Sequence, residues 1–212
     1  MMTFTSASIR SFSASRRHAA LSVLVSGLVL FGGCSKGQLQ GTASSYVILD
    51  KLVAASGAST SATYANPLAS DVETGGGIVE DPGLGTFRLA LKDPGMPTEP
   101  ITPTTQNFIT LTRYHVQYVR ADGRNTPGVD VPYPFDGAMT ITVRNIVIDG
   151  TFTLVRVQAK LEPPLKALAG SGGAIVISTI AEVTFYGTDQ TGNPVSVMGR
   201  IGVNFADWAD PK

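Results

Sequence analysis

From residue 46 onward the chain consists of short apolar runs whose polarity alternates at every second residue, separated by clusters of Gly, Pro, Asn and Asp. A period of two is the signature of a half-buried β-strand, because successive side chains leave the backbone on opposite faces. The clearest run is VSVMGRIGVNF, 195–205. There Val195, Val197, Ile201, Val203 and Phe205 share one face, and Ser196, Arg200 and Asn204 the other. The run before it, 174–187, is joined to it by TDQTGNP, where Asp189, Gly192 and Asn193 carry turn chemistry. The two read as a long hairpin, with Ala181, Val183 and Phe185 beside the apolar face of the last strand.

The segment 107–121 sets Tyr114, Val116 and Tyr118 against His115, Gln117 and Val119, and 152–157 sets Phe152, Leu154 and Arg156 against Thr153, Val155 and Val157. Adding 46–55, 86–92 and 138–147 gives about seven strands, and only 46–56 also fits a helix. Seven short strands at this spacing predict an all-β fold, an immunoglobulin-like β-sandwich over 46–212. Helix is expected as a turn or two at 165–169, after Pro163-Pro164.

The first part of the chain follows a different rule. Residues 1–18 hold Arg10, Arg16, Arg17 and His18 and no acid, and 19–33, AALSVLVSGLVLFGG, hold no charge at all. Basic then apolar is the order of a secretory signal, and about fifteen residues rise only about 22 Å as a helix, short of the roughly 30 Å of a bilayer core. An uncleaved anchor helix is the alternative. Gly32 and Gly33 weaken a helix where cleavage would fall. Ser15-Arg16-Arg17 is like the start of a twin-arginine signal, but Ala19 and Ala20 stand where that signal carries bulky apolar residues, which favours ordinary secretion.

Leu30, Phe31, Gly32, Gly33 and Cys34 resemble the lipobox of bacterial lipoproteins, with Phe31 where that family usually has leucine. The resemblance implies cleavage before Cys34, a covalent lipid on its sulfur and attachment to a membrane through that lipid. Ser35, in place of the aspartate that retains such proteins at an inner membrane, implies the outer one where two exist. The thiol points the same way, since the single cysteine has no intramolecular disulfide partner. Acyl chains contribute about 0.8 kcal/mol per buried methylene, so two or more make a firm tether. The expected organisation is a lipoprotein signal peptide over 1–33, a flexible Ser/Gly-rich tether over 34–45, and the sandwich over 46–212.

The segments YHVQYVRADGR and VTFYGTDQTGNPVSVMGRIGVNF are similar to those of uncharacterised bacterial lipoproteins with a single immunoglobulin-like domain. That resemblance implies a fold and a place in the cell envelope, and no activity. The Cys, Trp, Cys pattern of antibody domains is absent.

Charge and motifs narrow the function classes. Three of the 16 Lys and Arg lie in the leader, so the remainder carries three more acids than bases, and no basic patch suits nucleic acid. Beyond the leader His115 is the one histidine, on a polar strand face, which reads as a surface residue. No nucleophile elbow, phosphate-binding loop or zinc motif is present. The expectation is a non-enzymatic protein without a cofactor beyond the lipid. Carboxylates such as Asp207 and Asp210 are the material for a less favoured catalytic reading.

Two loops remain as candidate sites. Asp71, Glu73, Glu80 and Asp81 lie on a glycine-rich segment that could supply oxygen ligands to calcium, although EF-hand spacing fails and a solvated loop is the simpler reading. In ADGRNTPGVDVPYPFDG, 121–137, Tyr133 and Phe135 flank Pro134; they could offer flat faces to a sugar or peptide, or fold back as a lid on the sandwich. Trp208 reads as a terminal plug of the core. The expected partner is an envelope protein or polysaccharide; a calcium-dependent or carbohydrate-binding module is the alternative.

Overall fold

The computed structural model describes residues 43–59 and 61–208, all within the compact unit Gly41–Lys212. The expected signal peptide over 1–33, the expected lipid site Cys34, residues 35–42 of the tether, and Asp210 lie outside the described residues.

The fold is all-β. The strands are β1 (Ser45–Ala54), β2 (Leu68–Asp71), β3 (Asp81–Leu91), β4 (Gly95–Met96), β5 (Glu99–Pro100), β6 (Ile109–Val119), β7 (Phe135–Val143), β8 (Ile148–Val155), β9 (Ile177–Asp189) and β10 (Pro194–Ala206). One short helix, α1 (Val157–Leu161), and a 3-10 turn at Leu165–Leu168 follow β8. The turn falls where Pro163-Pro164 predicts it. The helix stands partly where the last predicted residues of strand 152–157 would be.

β4 and β5 make a small ribbon, and the other eight strands form two sheets in the orders β1-β3-β8 and β2-β10-β9-β6-β7. Every pairing is antiparallel except that of β2, which runs parallel to the end of β10. The predicted hairpin is present: Ala181, Val183 and Phe185 lie opposite Ile201, Gly199 and Val197 and are fully buried. In β6 Tyr114, Val116 and Tyr118 point inward, as their alternation predicts.

The sheets face each other across an aromatic core. Phe87 and Phe152 of the smaller sheet meet Phe185 of the larger edge-on, with centroids 5.0 and 5.2 Å apart, and Phe152 meets Tyr114 at 5.1 Å. Such geometry adds to the area buried, because positive ring edges meet negative faces. It also explains why β3 starts earlier than its sequence suggests. The Phe152 ring fills the space a Cβ on Gly83 would need, and the Phe87 ring does the same at Gly85. These two glycines, just ahead of the predicted strand 86–92, are the floor on which the rings lie.

In β1 a bulge between Leu49 and Lys51 resets the alternation, which is why 46–56 fits a helical pattern equally well. The folded part also begins before the expected boundary at 46: Ala43 and Ser45 are buried, and the Ser45 hydroxyl donates to the Asn107 carbonyl.

The pairings define two poles. Ser45 lies opposite Leu91, and its bond to Asn107 brings the starts of β1 and β6 together. The entering chain therefore sits at one pole. The opposite pole holds the start of β3, paired with the end of β8, and the end of β6, beside β9. Eleven residues of β3 separate them, about 36 Å at 3.3 Å per residue.

Candidate functional site

The pole remote from the chain entry collects the loops over 72–80 and 120–134, α1 and the turn after it, and the end of β10. At its centre is a buried polar cluster. Lys160, on α1, places Nζ 3.0 Å from Asp81 Oδ1 at the start of β3, and neither side chain reaches solvent. The ammonium also donates to the Val79 carbonyl at 2.6 Å. Asp81 Oδ1 accepts the Gly57 N–H at 2.9 Å, and Oδ2 accepts the Ser70 hydroxyl at 2.6 Å. Removal from water is the dominant influence on this carboxyl and raises its pKa, against the pull of Lys160 and the hydrogen bonds.

Tyr118, wholly buried, closes the inner side. Its hydroxyl donates to the Leu154 carbonyl at 2.6 Å, and burial, followed by the Asp81 charge, pushes the phenol far up. The sequence missed Lys160. Asp81 and Lys160 are 79 residues apart, and nothing local in VQAKL marks a lysine that will be buried.

The acids proposed for calcium do not converge. Asp81 is held by Lys160, Ser70 and Gly57, as above. Asp71 is buried, accepting the Trp208 N–H at 3.0 Å through Oδ1 and the Thr74 hydroxyl through Oδ2. Glu73 is half-buried, and Glu80 is exposed and accepts the Thr153 hydroxyl at 3.3 Å. Among the described residues no group of three or more His, Cys, Asp or Glu side chains could hold a metal ion.

The proline-held aromatics separate as well. Phe135 opens β7 and is buried, edge-on to Tyr114 at 6.2 Å and beneath the Arg156 guanidinium, whose carbon is 4.5 Å from the ring centre. It is a core residue capped by a cation. Tyr133, 48% exposed, is the member of the pair open to a partner, together with Val129 at 67%.

The loop carrying them is tied by its own polar bonds. Asp122 bridges Arg120 at 2.6 Å and Arg124 at 3.1 Å, and the Arg120 bond, first among these, holds its carboxyl well below the usual range. Asn125 Oδ1 accepts the Arg120 N–H at 2.6 Å, and Asp130 accepts the Thr126 N–H at 3.2 Å. Val131 anchors the loop in the core. Tyr133, its phenol end laid over Gly128 of the same loop, is therefore held on a braced surface, which lowers the entropy lost when a partner orders it.

The other candidates are surface or structural groups. His115 is part-exposed, its Nδ1 3.2 Å from Asp136 Oδ1, which also faces Arg113 at 3.5 Å. Trp208 is half-buried, and Asp207 accepts the Gly172 N–H at 3.2 Å.

The chain has no significant match among protein-family models, curated proteins or solved structures.

Proposed function

We propose that the protein is an exported, lipid-anchored envelope protein without catalytic activity, whose immunoglobulin-like sandwich presents the loops of its remote pole to an envelope protein or surface polysaccharide. The anchor is the lipid expected on Cys34 after removal of 1–33. The observation that carries the display is the polar arrangement of the domain. The chain enters at Ser45 at one pole, and the braced loop with Val129 and Tyr133 lies at the other. A domain tethered at its base offers that far end outward.

The strand order supports the immunoglobulin-like reading. β1, β3 and β8 correspond to A, B and E, and β10, β9, β6 and β7 to G, F, C and C′, in the two-sheet arrangement of that fold. The role of the absent inter-sheet disulfide falls to the Phe87, Phe152 and Phe185 rings.

The test pairs two readouts. Cys34→Ser should move the protein from the membrane pellet to the soluble fraction. Tyr133→Ala with Val129→Ser, in the otherwise intact chain, should lose the envelope proteins or polysaccharide that the parent retains on affinity capture. Unchanged retention removes the remote pole from the proposal, and unchanged fractionation of Cys34→Ser removes the lipid.

A further inference from the structure

We propose that Lys160 and Asp81 become joined by an intramolecular amide bond between Nζ and Cγ. The inference stands on the buried cluster alone and does not depend on the anchor or on any partner. The amine nitrogen and the carboxyl oxygen are 3.0 Å apart with both side chains at 0% exposure, an arrangement water cannot dilute or compete with. The Val79 carbonyl holds Nζ from one side, while Ser70 and the Gly57 N–H hold the two oxygens of Asp81, so both partners are oriented.

The chemistry balances within the cluster. Away from water the charged forms lose their hydration, and a proton passes from the Lys160 ammonium to Asp81 Oδ1, leaving an amine beside a carboxylic acid. The raised pKa of the buried Asp81 favours that transfer. The freed lone pair of Nζ attacks Cγ and a C–N bond forms. Negative charge developing on Oδ2 is met by the Ser70 hydroxyl already donating to it. Nitrogen gives a second proton to Oδ1, the Cγ–Oδ1 bond breaks, and water departs. One ammonium and one carboxylate become one amide and one water, with nothing oxidised or reduced.

The new bond would close a loop between residues 79 apart, fastening the start of β3 to α1 around the chain that forms β6, β7 and β8. A chain with a single cysteine has no intramolecular disulfide to do this.

The experiment is a peptide map of the full chain, purified folded and digested after denaturation. The expected result is a branched peptide containing both Asp81 and Lys160, lighter by one water than the sum of its two parts. Lys160→Arg, which keeps the charge and forms no such amide, should release the Asp81 peptide alone. Ser70→Ala should raise the unjoined fraction of otherwise folded protein. Recovery of both parental peptides separately at full mass, from protein whose circular dichroism shows a folded β domain, overturns the proposal. Equal joining in Ser70→Ala overturns the part assigned to Ser70.

Discussion

The hydroxyl of Tyr118 donates to the main-chain carbonyl of Leu154 at 2.6 Å, tying the end of β6 in one sheet to the end of β8 in the other. Leu154 is the residue skipped where the β3–β8 register shifts between Asp81 and Pro82, and proline has no N–H to offer there. A tyrosine from the opposite sheet supplies the donor. Tyr118→Phe keeps the ring against Phe205, 5.6 Å away, and deprives a buried carbonyl of its partner. The expected loss is about 1–2 kcal/mol in urea denaturation. An unchanged midpoint would mean that the carbonyl is satisfied elsewhere.

Lys160→Met leaves Asp81 sealed as a free carboxyl with neither a counter-charge nor an amine to join. Removing one member of a buried pair costs about 3–5 kcal/mol at neutral pH, far more than the intact pair contributes over an apolar substitute. The pH dependence has a fixed sign. In the variant Asp81 is a free carboxyl, and burial, the influence that raises its pKa, acts without the opposing Lys160 charge, so stability associated with this group is present at low pH and lost as pH rises through the raised value. The deficit of the variant should therefore be smaller near pH 5 than near pH 8. A difference in denaturation midpoint between parent and variant that is equal at the two pH values would contradict it.

Asp189 acts in the opposite direction. Burial pushes its carboxyl up, but bonds from the side chain and N–H of Asn193 and of Thr191, at 2.8 to 2.9 Å, outweigh it and hold the pKa at about 2. A depressed carboxylate contributes stability above its unfolded value near 4 and loses that contribution as pH falls toward 2. Asp189→Ala should cost about 2 kcal/mol at pH 7 and converge toward the parent as pH falls through about 2. Denaturant midpoints across that range check it.

The two aromatics around Pro134 give a contrast within three residues. Phe135→Ala opens a cavity beneath Arg156 and beside Tyr114 and should cost about 3–5 kcal/mol. Tyr133→Ala, at an exposed position, should change stability by under about 1 kcal/mol. A thermal melt of each variant reads the difference, and a severe loss for Tyr133→Ala would place that ring in the core.

What the sequence could and could not reveal follows from the range of each signal. β9 and β10 were legible because their alternation is unbroken and their turn, Asp189 to Asn193, is local. β1 was ambiguous because one bulge shifts the phase of the pattern. β2, four residues that pair with a strand more than a hundred positions away, offers no period to read. Phe135 looked available because proline and tyrosine precede it, yet the core contacts that bury it come from Tyr114 and Arg156. The Asp81–Lys160 pair was invisible for the same reason: a carboxylate in an acidic loop and a lysine in a five-residue helix become partners only when the topology brings β3 against α1.

On the proposed function, the domain is held at a membrane through Cys34 and displayed from its base. Mass spectrometry of the amino-terminal peptide from protein isolated with the membrane fraction addresses it most directly. The expected peptide begins at Cys34 and carries the mass of covalently attached acyl chains. A chain that retains residues 1–33 with a free Cys34 thiol would contradict it.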